Sequence, residues 1–361
     1  MAGFVKVCIA SLAALCVATA AQAAGVRETG AWVTVCDNLR TCTAFLLSDT
    51  RRHDRTAESV AYVMLHREGG ANAPLDLDLI SHIDAGVENG PWALWVDGRR
   101  DVKFGTLNLQ FSFTDPPDGY LEPSLWKAFL TGAQKDRLLA ALRQHHALSL
   151  RMTDRHRVDF QLAGAAQALG WMDAEQLRTG MDSALWRKGR KPETLPPLPV
   201  APKIVLAAKV DQSHLPVPPA ALQEFARASC KGAKISWFVE QRLAPNLILS
   251  APACEETHLY FASDLFVVDE TTGAYHAIAL PIPPGEAPAT FRAGVTNEDQ
   301  DPRYVHLSPP DNSCGRGAAW VWTGSGFAVQ HERLVLACRG VFAFHDMTLY
   351  RTERVDPDKP H

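Results

Sequence analysis

Six cysteines lie beyond residue 23, and their number and spacing constrain the fold of this chain more than any other feature. Residues 1–23 have the pattern of a secretory signal peptide: Lys6 precedes an apolar stretch, and Ala21-Gln22-Ala23 fits the small-x-small cleavage rule. An even number of cysteines in an exported chain favours disulfide bonds. The expected localisation is periplasmic or secreted, with no membrane span left after cleavage of the signal peptide.

Sequential pairing is the simplest arrangement of these cysteines. Two of them stand alone in the first half of the chain, and the other four form two intervals of 24 residues. Crossed pairings within the second half stay open. Zinc binding is not expected, because the closest pair is more widely spaced than the C-x(2–4)-C pairs of zinc sites. The predicted bridges are Cys36–Cys42, Cys230–Cys254 and Cys314–Cys338, and neither a metal nor a cofactor is predicted.

A proline-rich segment over residues 189–202 divides the chain after the signal peptide into two parts. Proline fixes φ and removes a hydrogen-bond donor, so such a segment is extended and semi-rigid. We predict an N-terminal β-rich domain with C-terminal helices over 24–188, this linker, and a C-terminal β-rich domain over 203–361. The fold class is α+β: two β-rich lobes, each with one or more packed helices, stapled by disulfides.

Alternating apolar residues predict strands through most of both parts. Residues 31–35 and 43–47 flank the small cysteine loop and predict a hairpin. The acidic segment Asp76-Leu77-Asp78 is interpreted as a solvated loop. Breakers and helical spacing predict helices over Pro123–Phe129, over Gln134–His146, within 163–188, and after Pro218-Pro219.

The charge balance excludes one class of partner. With 36 Lys and Arg against 40 Asp and Glu, the net charge is −4 and no basic block occurs, so nucleic-acid binding is not expected. No glycine-rich phosphate loop is present either.

Two pairs of residues are candidate binding groups. Asp37 and Asn38 lie inside the first cysteine loop, where their side chains could bind a cation or an amide. The alternative is that they hydrogen-bond the local backbone and shape a turn. Trp320 and Trp322 share one face of a predicted strand and could form a platform for a sugar or a protein, or be part of the core. The core and turn interpretations are favoured.

Several motifs resemble those of the bacterial exported domain of unknown function 1176 family. They are the opening Trp32-x-Val-x-Cys36-Asp37-Asn38-Leu-Arg40-x-Cys42, the segment from Gly164 through Asp173 and Gln176 to Gly189, and the ending Cys338-Arg339-Gly340 with Leu349-Tyr350-Arg351. The first half also resembles the invasion-associated locus B family of secreted proteins. The resemblance implies an exported bacterial protein and no particular activity. The chain departs from the family pattern at Leu177, where glycine is expected.

The sequence therefore favours an exported, non-enzymatic binding or envelope-associated protein whose partner is an unknown envelope protein or glycan. No complete catalytic motif occurs, which leans against an enzyme without deciding the question. One alternative is a hydrolase of cell-wall or polysaccharide material that uses a carboxylate pair assembled from distant segments. Another is an inhibitor of hydrolases.

Overall fold

The computed structural model describes residues 25–48, 61–82, 91–107, 109–111, 125–128, 130–151, 157–229, 234–256, 259–262, 265–282, 294–296, 301–308, 314–339, 341 and 347–358. The predicted signal peptide lies outside these residues, as does Cys230 with its predicted bridge. The described part of the chain is rich in strands and has three α-helices, which agrees with the α+β class.

The first half of the chain contains twelve strands and two helices within the described ranges. In chain order they are β1 (Gly25–Thr29), β2 (Trp32–Cys36), β3 (Cys42–Leu47), β4 (Ala61–Arg67), β5 (Leu75–His82), β6 (Trp92–Val96), β7 (Arg99–Arg100), β8 (Thr106–Leu107), β9 (Leu109–Phe111), β10 (Leu125–Ala128), α1 (Gly132–Gln144), β11 (Ala147–Arg151), β12 (Arg157–Gln161) and α2 (Ala165–Glu175).

The second half contains twelve strands and one helix in its described part. They are β13 (Lys203–Val205), α3 (Ala220–Ser229), β14 (Lys234–Ala244), β15 (Leu247–Glu256), β16 (Leu259–Ala262), β17 (Leu265–Asp269), β18 (Tyr275–Ile278), β19 (Gly294–Thr296), β20 (Tyr304–Ser308), β21 (Cys314–Trp322), β22 (Phe327–Leu336), β23 (Met347–Arg351) and β24 (Glu353–Val355). A 3-10 turn, Ala337–Arg339, follows β22.

An antiparallel sheet of seven strands organises the first half, in the order β1-β2-β3-β4-β5-β10-β9. Successive side chains of a strand point to opposite faces, so the sheet has two distinct surfaces. On one face, Trp32, Leu46 and Val63 pack with α1, α2 and the smaller sheet β12-β11-β6-β7 in the largest apolar core. We call this the helix face of the sheet.

The opposite face of the same sheet packs against the second half of the chain, and we call it the inter-half face. Apolar residues of both halves form one cluster there. Its buried members from the sheet are Val33, Val35, Phe45, Leu47, Tyr62 and Ile80, and those from the second half are Leu336, Val341, Met347 and Leu349.

The second half is built mainly from two antiparallel sheets. One has the order β14-β15-β17-β18, with β16 beside β15, and the other has the order β19-β20-β21-β22-β23. Leu249 and Val267 of the first sheet share an apolar core with Val305 and Trp320 of the second. Helix α3 covers the other face of the first sheet through Leu222.

The proline-rich segment 189–202 has no strand, and among the described residues no sheet contains strands from both sides of it. Just after this segment, β13 pairs in parallel with β24, so these two strands of the second half lie side by side. The structure joins Cys36 to Cys42 and Cys314 to Cys338, which are two of the three expected pairs.

Two local predictions are wrong. The segment expected to form a helix from Pro123 contains strand β10, because Leu125–Ala128 hydrogen-bonds between β5 and β9 and sheet pairing overrides local helix signals. The acidic segment expected to be a loop lies within β5. There Leu77 and Leu79 face the core and the two aspartates point to the inter-half face.

Candidate functional site

The disulfide-closed loop between β2 and β3 is shaped by Asp37. Its Oδ1 accepts hydrogen bonds from the backbone N–H groups of Leu39, at 2.8 Å, and Thr41, at 2.7 Å. Arg40 adopts a left-handed φ of 62° within the turn. Asp37 therefore performs the local role that an Asx side chain has in turns.

The same loop also holds the end of the chain. The Asp37 Oδ2 lies 2.7 Å from Nε of Arg351 in β23. The Asn38 side chain forms two hydrogen bonds with the Arg351 backbone: its Oδ1 accepts from the N–H at 3.0 Å, and its Nδ2 donates to the carbonyl at 3.0 Å. We call these three residues the clasp. Burial raises the pKa of Asp37, although Arg351 and the loop N–H groups lower it.

The clasp changes the interpretation of the first candidate pair. Asp37 and Asn38 use their polar atoms to tie the first half of the chain to the second, so they do not present a free ligand set. A second and more exposed ion pair, Arg339 with Glu28 at 3.1 Å, bridges the same two halves.

The second candidate pair is also buried. Trp320 and Trp322 lie in the core between the two sheets of the second half, and the Trp320 indole N–H donates to the Pro281 carbonyl at 2.8 Å. Neither ring is exposed as a platform. The placement favours the core interpretation of this pair.

A buried polar network on the helix face explains the family motif that surrounds Asp173. Asp173, at the end of α2, is 2% exposed and binds the Arg67 guanidinium at 3.1 Å. Its two oxygens also accept the N–H groups of Leu185, at 2.7 Å, and Trp186, at 2.8 Å. Gln176 accepts from Arg67 Nε and donates to the carbonyl oxygens of Arg67 and Arg40.

Two backbone features allow the chain to turn tightly around this network. Helix α2 ends in a Schellman motif: Leu177 N–H bonds the Ala174 carbonyl, and Arg178 N–H bonds the Asp173 carbonyl. Leu177 has a left-handed φ of 60°, which is the conformation that glycine tolerates best. A side chain at Gly189 would place its Cβ 1.9 Å from the Gly180 carbonyl oxygen, so only glycine fits there.

Burial lowers the pKa of Arg67 to about 10, which still leaves this guanidinium charged at neutral pH. Arg178, beside it, is 1% exposed and donates to the Ser183 hydroxyl at 2.8 Å and to the Gly70 carbonyl. Most of its polar groups are buried and hydrogen-bonded to one another, so this network holds the first half of the chain together.

A polar cleft on the inter-half face differs from both of these clusters. It is open to solvent and has a volume of about 370 Å³ where β4, β5 and β10 meet the start of α1. Its polar lining residues are His66, Asp76, Asp78, Lys127 and Lys135, and Met64 and Leu130 supply apolar surface.

Strand register positions these groups. Thr43, His66 and Asp76 are direct neighbours across three strands, and the Thr43 hydroxyl lies 2.9 Å from the His66 Nδ1. Lys127 of β10 pairs with Asp78 at 2.8 Å. Among the described residues, the Asp76 carboxylate and the Lys135 ammonium have no ion-pair partner, so both charges are available at the mouth of the cleft.

The cleft was not predicted from the sequence, although a signal for it exists. Leu75, Leu77 and Leu79 alternate with Asp76 and Asp78, which is the period of a strand with a polar face. In the part of the chain that the structure describes, no three His, Cys, Asp or Glu side chains converge as metal ligands. The residues that line the cleft offer hydrogen bonding and ion pairing from both signs of charge.

The fold and these sites define a disulfide-bonded, β-rich α+β protein with a polar cleft. The chain belongs to the family described as "Protein of unknown function (DUF1176)", whose model matches residues 26–353. The crystal structure of invasion associated protein B from Bartonella henselae is similar at 17% sequence identity and a TM-score of 0.27, covering 42% of this chain and 98% of that chain. No curated protein is significantly similar to the chain.

None of the helices in the described ranges is both long enough and apolar enough to cross a bilayer.

Proposed function

We propose that this protein is an exported, non-enzymatic binding protein that takes a polar ligand or partner segment in the cleft on the inter-half face. One observation carries the proposal: the cleft combines a concave, solvent-open surface with two charged groups, Asp76 and Lys135, that have no ion-pair partner among the described residues. The other charged clusters near the sheet use their groups to hold the fold together.

The lining suggests the chemistry of the ligand. Lys127 and Lys135 suit a carboxylate or phosphate group, and Asp76 suits an amine. Met64 and Leu130 would cover an apolar portion between these groups. A ligand with both an anionic and a cationic group fits best, such as a peptide segment or an amino sugar that carries a carboxylate.

Export and a two-lobe organisation form part of the same proposal. The signal-like residues 1–23 and the disulfides support export. Separate sheets on either side of residues 189–202 support two lobes, 24–188 and 203–361. The cleft then lies on the face of the first lobe that meets the second, so a ligand at this site would adjoin the contact between the lobes.

One observation favours the hydrolase alternative. Asp76 and Asp78 lie two residues apart on one strand face, which places their Cα atoms about 7 Å apart. Carboxyl groups of inverting glycosidases are separated by about 6.5–9.5 Å. The Asp78 carboxylate, however, is already engaged in an ion pair with the Lys127 ammonium at 2.8 Å, which weighs against its use on a substrate.

Two double variants, each of which leaves the net charge of the protein unchanged, test the proposal. The purified, oxidised protein is immobilised and incubated with a periplasmic extract, and the retained molecules are compared between wild type, D76N/K135Q and D182N/K188Q. The first double variant removes one charge of each sign from the cleft. The second does the same at the exposed ion pair Asp182–Lys188 and serves as the matched control. We expect capture to be lost only with D76N/K135Q.

Equal capture by all three proteins would contradict the cleft as the binding site. A parallel assay for release of soluble fragments from purified peptidoglycan addresses the alternative. Fragment release by the wild type that is abolished in D78N would replace the binding proposal with the hydrolase.

A further inference from the structure

The hairpin β6–β7 and the loop after it present a concentrated positive surface on a chain of net charge −4. Asp97 and Gly98 connect the two strands in left-handed conformations, with φ of 45° and 79°, as in a two-residue type I′ turn. Arg99, Arg100 and Lys103 follow and are all exposed. Together with the end of α1 they line a concavity of about 370 Å³.

The carboxylates near these cations are already engaged. Asp101 binds the Arg137 guanidinium at 2.7 Å, and it also accepts the N–H groups of Lys103 and Phe104. Asp97 lies 2.8 Å from His145 Nδ1. Within the described ranges, no carboxylate forms an ion pair with Arg99, Arg100 or Lys103. Three positive charges therefore remain for an external anion.

The loop that carries the charges is held in a defined shape. The Asp101 N–H donates to the Leu94 carbonyl at 2.9 Å, and Phe104 is buried in the core of the first half. Between these anchors Val102 is 76% exposed, although it is apolar. An exposed apolar side chain beside three cations is the arrangement that a membrane surface accommodates, because the apolar group can enter the headgroup boundary while the cations meet lipid phosphates.

We propose that this surface, formed by Arg99, Arg100, Val102 and Lys103, docks the protein on a bilayer that contains anionic phospholipid. A soluble polyanion would satisfy the cations but would leave Val102 in water. Such docking would also fix the orientation of the protein on the membrane, because its net negative charge is otherwise repelled by anionic lipid. The proposal is independent of the ligand cleft, which lies elsewhere on the molecule and has a different lining.

The test is co-sedimentation of the purified, oxidised protein with vesicles at low ionic strength. Vesicles of equal parts phosphatidylglycerol and phosphatidylcholine are compared with phosphatidylcholine alone. We expect binding to the anionic vesicles only. Each cation near an anionic membrane contributes about 1 kcal/mol, so R99Q/R100Q/K103Q should bind roughly a hundredfold more weakly.

Two further variants make the test specific. R187Q/K188Q/R190Q removes the same charge from another exposed segment and should bind within about twofold of wild type if position matters more than net charge. V102N should weaken vesicle binding several-fold. Equal loss in both triple variants, or equal binding to neutral vesicles, would overturn the proposal. Unchanged vesicle binding by V102N would overturn the assignment to a lipid surface and leave a general anion site.

Discussion

Two neighbouring residues of β4, His66 and Arg67, point to opposite faces of the seven-stranded sheet and lie in opposite environments. Arg67 is buried on the helix face, where its guanidinium binds Asp173, Gln176 and a backbone carbonyl. His66 lies on the inter-half face, in a cleft where Asp76 is open to solvent. Both regions contain the same kinds of charged groups.

These two environments distinguish charges that hold the fold together from charges that are available to a ligand. A buried charge is tolerated only when partners compensate it, so removal of one member leaves the others uncompensated. A solvated charge at a cleft has water as its partner, and a ligand can replace that water. The two regions therefore differ in the partners of their charged groups. Protein groups compensate the charges around Asp173, whereas water solvates those in the cleft.

A substitution in the buried network around Asp173 should change stability more than any other considered below. Asp173→Asn keeps the shape of the side chain but removes the charge opposite Arg67, and its amide cannot accept both the Leu185 and Trp186 N–H groups. We expect a loss of about 3–5 kcal/mol in the free energy of unfolding, measured by urea denaturation. Asp76→Asn in the cleft is the control, with an expected change within about 0.5 kcal/mol. Similar losses in both variants would show that the buried and the solvated carboxylates contribute equally to stability.

The clasp extends the comparison to the contact between the halves. Arg351→Met leaves the buried Asp37 carboxylate without its cation, and we expect a loss of about 2–3 kcal/mol in the same measurement. Arg339→Met removes the exposed pair with Glu28 and should cost about 0–1 kcal/mol. If the second substitution is the more costly one, the clasp is not the main polar contact between the halves.

Glu240 in β14 is an intermediate case, because it is half-buried and forms no ion pair with any cation among the described residues. Burial raises its pKa to about 7, against the lowering effect of the Ser250 hydroxyl opposite it. A carboxyl whose folded pKa lies above its unfolded value of 4.5 destabilises the fold increasingly as pH rises from that value through 7. Glu240→Gln should therefore be more stable than wild type at pH 8, by about 1 kcal/mol after allowance for solvent screening.

At pH 4 the Glu240→Gln variant and the wild type should be equally stable, because the carboxyl is then largely protonated in both folded and unfolded chains. Urea denaturation at three pH values across this window measures the difference. An effect of Glu240→Gln that does not vary with pH would show that burial of the charge is not its cause.

The smallest expected effect concerns backbone conformation beside the buried network. Leu177 holds the left-handed position of the Schellman motif, and its side chain is partly exposed. Leu177→Gly should relieve about 1–2 kcal/mol of backbone strain in the folded protein. Part of this gain is offset because glycine raises the conformational entropy of the unfolded chain. We expect a net stabilisation of about 0.5–1 kcal/mol, seen as a higher urea midpoint. Leu177→Ala, which keeps a Cβ at this position, should give none of this gain.

Local features were predictable from the sequence because adjacent residues determine them. The hairpin that flanks Cys36 and Cys42 appears as β2 and β3, and helices α2 and α3 lie within the predicted segments. Helix α1 overlaps its predicted segment but begins and ends two residues earlier. Leu177 was recognised as a departure from a glycine pattern, and the helix end explains what that glycine does.

The sites were less predictable because distant segments assemble them. Arg67 and Asp173 are 106 residues apart, and no local pattern reports their contact. Strand β5 carries two conflicting local signals: aspartates are common in loops, whereas its leucines alternate with the period of a strand. Strand β10 has only four residues, and its pairing with β5 and β9 decided its conformation.

The clasp also imposes an order on the completion of the native structure. Asn38 and Arg351 are 313 residues apart, and a ribosome makes the chain from its N-terminus. Every strand of the seven-stranded sheet is therefore synthesised before β23, the strand that covers its inter-half face. Until Arg351 arrives, Asp37 lacks its cation and apolar residues such as Phe45 and Tyr62 lack their cover. Removal of β23 would take away the cation of Asp37 together with Met347 and Leu349 of the shared apolar cluster, so the inter-half face is completed only when this strand is present.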